Sequence, residues 1–438
     1  MKHLYLSVQT SPCLQGIVPV FGAKNAALVI IASLILTQGK STLLNVPGSA
    51  DIFCMIELLE ELGAQVTYSV DNHILTVDTT MIHAWSVSSA ITNRMRASIL
   101  AMGPLLARFG YADVALPGGC VIGERPIDFH LKNMAKMGVQ IEREHCLVRA
   151  RSGGRLHGTR LVLEYPSVGA TENLLLAAVR AQGTTSIINA AFEPEVFDLI
   201  TVLRLMGAAI ELAYPNTIHI QGVSELKPIN YTIMPDRLEM GSILLAAAVT
   251  GGSVHIPAVT ADILDVFLLK LEEMGHQIIG ENGGISIHAT DAPKAVSFKT
   301  GPYPSFPTDL QAPMMLAQCL AHGKSIIEET VYENRLLHVR ALRSMGANIV
   351  VEGTKATVIG VRQLQANHIE ATDIRASCAL VIAGLAARGT TTITGAYHWI
   401  RGYEKLEKRL GAIGARIALC DPGQPYQATV APLSSISS

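Results

Sequence analysis

Six times along its 438 residues the chain repeats one phrase, and that repetition constrains the fold more than any single motif does. Each copy opens with a helix-forming run of small apolar residues, as in residues 26–36, followed by a glycine and a short β-branched stretch, as in 39–44. A second helix then ends in a glycine, at Gly63, Gly138, Gly207, Gly275, Gly346 and Gly414, usually followed by Ala and a new strand. These glycines lie ~70 residues apart, longer than the common solenoid periods. Six two-helix units with interleaved strands describe an α/β protein built by duplication.

Periodicity says which helices face what. Residues 52–62 put Ile52, Met55, Ile56, Leu58, Leu59 and Leu62 on one side and Glu57, Glu60 and Glu61 on the other, the pattern of an amphipathic surface helix. Gly63 stands where a positive φ closes such a helix. The first helix of each unit differs: 26–36, 174–179, 243–249 and 379–387 are apolar nearly all round, so they belong inside a domain. Buried helices with sheets outside fit this order better than a doubly wound sheet. One core of six units would be too large, so two domains of three units each are expected, with the crossing near residues 227–231.

Composition excludes several classes. The chain is 49% hydrophobic and 16% charged with a net charge of −2, which points to neither nucleic acid nor an anionic membrane as partner. Its longest apolar run, 26–36, falls far short of the ~20 residues of a membrane span. Seven cysteines without a CxxC pair give no zinc or disulfide framework. That odd count, with no signal peptide, reads as a reducing cytoplasm.

The unusual charges gather at helix starts. First helices open at Lys24-Asn25, Arg96, Ser167-Val168-Gly169, Asp236-Arg237, Thr308-Asp309 and Asp373-Ile374-Arg375; second helices are expected to open at Asp51, Arg125, Glu193 or Glu195, Asp262, Glu333 or Arg335, and Arg401. Capping explains the Ser, Thr and acidic residues. It does not explain Lys and Arg, which oppose the helix dipole at that end, so several units are expected to share an anionic ligand. Residues 116–130 read Leu-Pro-Gly-Gly-Cys-Val-Ile-Gly-Glu-Arg-Pro-Ile-Asp-Phe-His, a glycine-hinged connection suited to a lid. Cys120, near Arg125 and helix N-terminal charge, sits where a thiol is activated.

These stretches, with Glu333-Asn334-Arg335 and Arg401-Gly402-Tyr403-Glu404, resemble the enolpyruvyl transferases in order from about residue 14 to residue 417. In particular they resemble those acting on UDP-N-acetylglucosamine in peptidoglycan synthesis. The resemblance implies two inside-out α/β barrel-like domains of three units each, buried helices within and sheets outside. It implies an N-terminal domain of residues 24–230 with a cysteine lid at 116–126, and a second domain of residues 1–23 plus 231–438. The active site would lie in the cleft between them. The implied reaction moves the enolpyruvyl group of phosphoenolpyruvate to the sugar 3-hydroxyl by addition and elimination. Lys24, Arg125 and Arg401 would hold the phosphate and Arg335 and Arg375 the carboxylate, with Asn25 beside them. Cys120 would be the general acid, Asp309 the base, and Asp373 would stand next to the reacting centre. Asn25, Arg96, Arg125, Ser167, Val168, Gly169, Asp309 and Val331 would contact the nucleotide sugar. No cofactor or metal is implied. The alternatives are transfer to shikimate 3-phosphate, against which Cys120 in its lid argues; transfer to another nucleotide, by a paralogue that keeps the same residues and lid; or a silent binding paralogue, which should have lost Asp309, Cys120 or Arg401.

A thiol above a phosphate pocket should be alkylated by a small phosphonate epoxide such as fosfomycin. Intact-mass and peptide mapping should find one adduct, on Cys120; an adduct on Cys54 or Cys378 instead, or none, would contradict the lid assignment.

Overall fold

The structure, a computed structural model, describes residues 4–115, 127–144, 147–281 and 283–421. Each unit contributes a four-stranded sheet, and all six sheets share one strand pattern. In the first, Lys40–Leu44 runs antiparallel to Ile74–Asp78, which pairs antiparallel with Gln65–Ser69. The fourth strand, Asn230–Thr232, lies parallel on the other flank of Lys40–Leu44. Strand burial alternates, as in Thr184–Ile188 and Thr390–Thr394, so each sheet covers the core with one face and meets solvent with the other.

The sheets enclose the apolar helices. Arg237–Thr250 and Ile374–Ala386 are buried along almost their whole length, as is Lys24–Ser33. Arg237–Thr250, Gln311–Cys319 and Ile374–Ala386 pack on one another, which is why no polar face occurs in their sequences. The buried apolar residues form two clusters, one from Ala23 to Ile233 and one from Leu238 to Ala415 that also takes in Leu6, Val8, Leu14 and Val18.

All six closing glycines have φ between +95° and +111°. At the first, Gly63 N–H donates to Glu60 O at 3.0 Å and Ala64 N–H to Leu59 O at 2.9 Å. This ends the helix and turns the chain into Gln65–Ser69. Any side chain there would strain the backbone.

Two features lay outside the reach of periodicity. The strand Tyr5–Gln9 fills the middle of the sixth sheet, between Thr390–Thr394 and Arg416–Cys420, so the chain start closes the last unit. Gln15–Ile17 likewise completes the fourth sheet beside Ser253–Pro257. The chain passes between the two cores twice, and the two passages pair: Ala23 N–H donates to Met234 O, and Asp236 N–H to Phe21 O. A Cβ on Gly22 would fall 1.8 Å from Asn45 O, so only glycine fits that passage.

Leu6 is fully buried on the closing strand. Leu6→Ala should cost about 2–5 kcal/mol in stability, read as a lowered denaturant midpoint with little change in slope.

Candidate functional site

The N-terminal ends of the central helices meet at the seam between the two cores. Lys24 is the first residue of its helix, and its N–H donates to Asp236 Oδ2, the cap of the helix Arg237–Thr250 in the other half, at 3.3 Å. Arg237 in turn forks onto Glu195, at the start of Pro194–Leu205, at 3.0 and 3.1 Å, with both side chains buried. Helix starts from both halves are thus tied together by charge.

Asp51 bridges the seam. Its carboxylate accepts from Lys24 Nζ at 3.3 Å and from Arg401 Nε at 2.8 Å. Arg401 therefore reaches from the second half to the first. Burial lowers the Lys24 ammonium below its usual range; Asp51 opposes that shift, and Arg375 and Arg401 add to it. Arg401 corrects a sequence expectation. It lies in the last turn of Tyr397–Gly402 rather than at a helix start, where the dipole favours a cation. Arg335 precedes its helix, Val339–Ser344, in a turn, and the helix expected from Asp262 begins at Asp265.

Asp309 is the second bridge. It lies in the 3-10 turn Thr308–Leu310 and accepts from Arg335 and Arg375 at 2.7 Å each. Arg375 also donates to the Tyr403 hydroxyl at 3.0 Å, and Asp373 caps its helix by accepting from Arg375 N and Ala376 N. Burial alone would raise the Asp309 carboxyl. Arg375 and Arg335, through charge and hydrogen bonding, outweigh burial and hold it well below the usual carboxylate range. Val331 joins this group through Glu329, which accepts from Val331 N–H at 2.8 Å and from the Thr308 hydroxyl at 2.9 Å.

A second group forms within the first half. Ser167 caps the helix Val168–Ala178 by accepting from Ala170 N–H, which puts Val168 and Gly169 in the first turn. Gly169 lies against His130, and Arg96 is close enough to act on His130 electrostatically. Two residues before Ser167, Tyr165 is pushed up to about 12 by burial, then by Tyr332, Glu193 and Glu329. Asn25 is half-buried in the first turn of Lys24–Ser33. Cys120 and Arg125 lie outside the described residues.

Sequence reasoning missed the carboxylates that hold these cations. Asp51 and Glu195 read as ordinary helix-opening acids, and Glu404 passed as one letter of a motif. Glu404 in fact crosses the seam, accepting from Gly48 N–H at 2.5 Å and lying 3.1 Å from His73 Nε2. No group of three or more metal-ligating side chains occurs among the described residues. No helix among them is long and apolar enough to cross a membrane.

Known proteins resemble this chain over most of its length. A family profile described as EPSP synthase (3-phosphoshikimate 1-carboxyvinyltransferase) matches residues 8–410. UDP-N-acetylglucosamine 1-carboxyvinyltransferase 1 of Caldanaerobacter subterraneus is 46% identical over 410 residues, covering 94% of this chain and 98% of that protein. UDP-N-acetylglucosamine 1-carboxyvinyltransferase of Trichlorobacter lovleyi is 46% identical over 404 residues, covering 92% of this chain and 96% of its own. Among solved structures, an enolpyruvyl transferase of Streptomyces tendae superposes with a TM-score of 0.86 at 25% identity, covering 96% of this chain and 99% of that one. EPSP synthase of Acinetobacter baumannii shares the fold, with a TM-score of 0.74 at 19% identity over 95% of this chain and 100% of its own.

Removing one member of a buried ion bridge leaves uncompensated charge. Asp51→Asn should therefore cost about 3 kcal/mol, because Lys24 and Arg401 would then face each other unneutralised. Millimolar phosphate should restore more thermal stability to that variant than to the parent. Equal responses in a melting assay would show that the bridge does not mark an anion site.

Proposed function

The chain belongs to the enolpyruvyl transferases, in the family of the UDP-N-acetylglucosamine 1-carboxyvinyltransferases, and from that premise we propose its reaction. It transfers the enolpyruvyl group of phosphoenolpyruvate to the 3-hydroxyl of UDP-N-acetylglucosamine and releases phosphate, the first committed step of peptidoglycan synthesis. The active site is the seam between two three-unit domains.

The Asp309 bridge carries this reading. Two guanidiniums already hold one carboxylate at 2.7 Å each, so Arg335 and Arg375 form a fitted receptor for the carboxylate of phosphoenolpyruvate. Lys24 and Arg401 share the single charge of Asp51, which leaves attraction to spare for the phosphate, with Arg125 as a third donor. Asn25, Arg96, Ser167, Val168, Gly169 and Val331 contact the nucleotide sugar.

The reaction runs in two steps. Cys120 delivers a proton to the methylene carbon while the sugar oxygen, losing its proton to Asp309, bonds to the central carbon. A tetrahedral phospho-ketal results. Loss of a proton from the new methyl group then expels phosphate and restores the double bond. The clustered cations stabilise the charge that builds up on the way, by preorganised electrostatics.

The geometry adds a condition on the base. While both arginines hold Asp309, they keep its carboxyl well below the usual carboxylate range and weaken it as a base. When the carboxylate of phosphoenolpyruvate engages those guanidiniums, the hold on Asp309 relaxes and its basicity rises. The base is thus switched on by the substrate it serves. The same reading makes the protein cytoplasmic, with neither nucleic acid nor membrane as partner.

Phosphate release from phosphoenolpyruvate, measured with UDP-N-acetylglucosamine, shikimate 3-phosphate or uridine monophosphate as acceptor, tests the proposal. Turnover with the nucleotide sugar is expected, and turnover only with another acceptor would overturn the assignment. Asp309→Asn should bind both substrates and lose ~10²-fold or more in kcat, the usual worth of a general base. Undiminished turnover in that variant would remove Asp309 from the mechanism.

A further inference from the structure

The two halves differ at the ends of their central helices away from the seam. In the first half, guanidiniums close those ends. Arg108 donates to Ile35 O at 2.9 Å and to Thr37 O at 2.7 Å, just past the helix Lys24–Ser33, and to Thr79 O at 3.1 Å. Arg155 donates to Arg180 O at 3.0 Å and to Ala181 O at 3.2 Å, just past Val168–Ala178, and to Val223 O at 3.0 Å. The last carbonyls of a helix lack partners within it and carry partial negative charge, so a cation is favoured there.

The repeat identifies the matching positions in the second half. Gly110 O accepts from Ser152 N–H as Gly323 O accepts from Gly360 N–H, and counting back two residues from each glycine sets Ala321 against Arg108. Gln182 N–H donates to Leu156 O as Arg388 N–H donates to Leu364 O, and one residue earlier Gln363 stands against Arg155. The second half therefore lacks both arginines. A cavity of about 270 Å³ opens there, walled by the last turns of the three central helices at Ala248, Leu320 and Ala386 and by Met274. The Thr10 hydroxyl reaches only Ala387 O among these helix ends, at 2.6 Å, outside that wall.

Three polar side chains complete the cavity. Asp291 and Arg362 line it, both exposed, and neither side chain forms an ion pair or hydrogen bond with a described residue. His276 also lines it and is 4% exposed. It follows a closing glycine, where the other five units carry Ala or Val. Its Nδ1 accepts from Thr290 N–H at 3.2 Å, so the ring hydrogen is on Nε2, and that buried atom has no partner. Burial pushes His276 down to about 4 and keeps the ring neutral. An unpaired cation, an unpaired carboxylate and an unpartnered N–H around one cavity call for a ligand with both kinds of charge.

We propose that this cavity is a second binding site, for a small molecule with a guanidinium or ammonium at one end and a carboxylate at the other, the chemistry of a basic amino acid. The cationic end takes the place of the missing arginines, against the helix ends and Asp291. The carboxylate meets Arg362, with His276 as a neutral donor in the wall, and the aliphatic stem lies on Met274 and Leu320. The helices Arg237–Thr250 and Ile374–Ala386 carry Arg237 and Arg375 at one end and this cavity at the other. The ligand therefore does not compete with anything bound at the seam, and the site does not depend on the transfer reaction proposed above.

Calorimetry of the full chain with L-arginine as probe tests the site. L-Arginine should bind one to one. L-Citrulline, which has a neutral urea in place of the guanidinium, should bind about tenfold more weakly, the worth of a hydrogen bond to a charged group. Arg362→Gln should weaken L-arginine binding by a similar factor yet leave unchanged the binding of L-argininamide, which has no carboxylate. Gln363→Arg restores the residue that the first half carries. It should fill the helix ends from within, abolish L-arginine binding and raise the melting temperature, with turnover unchanged. His276 in the parent carrying 15N-labelled histidine should show the Nε2–H tautomer by NMR, and L-arginine should shift its signal. No binding of L-arginine at millimolar concentration, equal binding of L-citrulline, or parent-like binding in a folded Gln363→Arg would overturn the proposal.

Discussion

Buried positive charge at the seam needs carboxylates, and that need organises the molecule. Lys24, Arg237, Arg335 and Arg375 are each no more than 8% exposed. An unpaired ion so placed would cost several kcal/mol, more than most single contacts in a protein contribute. The structure meets the demand with few acids. Asp51 serves Lys24 and Arg401, Asp309 serves Arg335 and Arg375, and Glu195 serves Arg237. Five cations thus share three carboxylates, and the excess of positive charge is left for a ligand.

The repeat explains why the charges can meet at all. Sheets on the outside leave the central helices surrounded by apolar side chains, so their termini are the only places where these segments can be polar. Helix starts of both halves meet there, at Lys24, Asp236 and Glu195, and the partial positive charge of those ends adds to the excess. Bridges such as Arg401–Asp51 and Glu404–Gly48 span the two cores, so the seam is held by the groups that anionic substrates would compete for. Substrate binding and the relation between the halves are then one electrostatic problem.

Much of this was legible from the residues. The apolar-all-round runs announced buried helices, and the closing glycines, all at positive φ, marked where each helix yields to a strand. The cations Lys24, Arg335, Arg375 and Arg401 stood out because they are misplaced for a helix dipole or follow a recognisable motif. Arg401 was nonetheless assigned to a helix start and lies at a helix end; helices as short as Tyr397–Gly402 and Leu406–Ala412, three residues apart, give periodicity too little length to fix their polarity. Asp51 was visible only as a cap-like acid. Its role depends on Lys24 and Arg401, which are 27 and 350 positions away in sequence.

Sequence by itself determined the unit, its inside-out burial and the kinds of residue that would face a ligand, because hydrophobic period, glycine conformation and charge are local properties. Tertiary structure decided two things that no local pattern contains. It put Tyr5–Gln9 into the last sheet, where the closing unit would otherwise lack a strand. It set single carboxylates between pairs of cations, and the two arginines hold the Asp309 carboxyl well below the usual carboxylate range. Each is a relation between distant segments, and the energy of such a relation exists only once the chain has brought its members within a few ångströms.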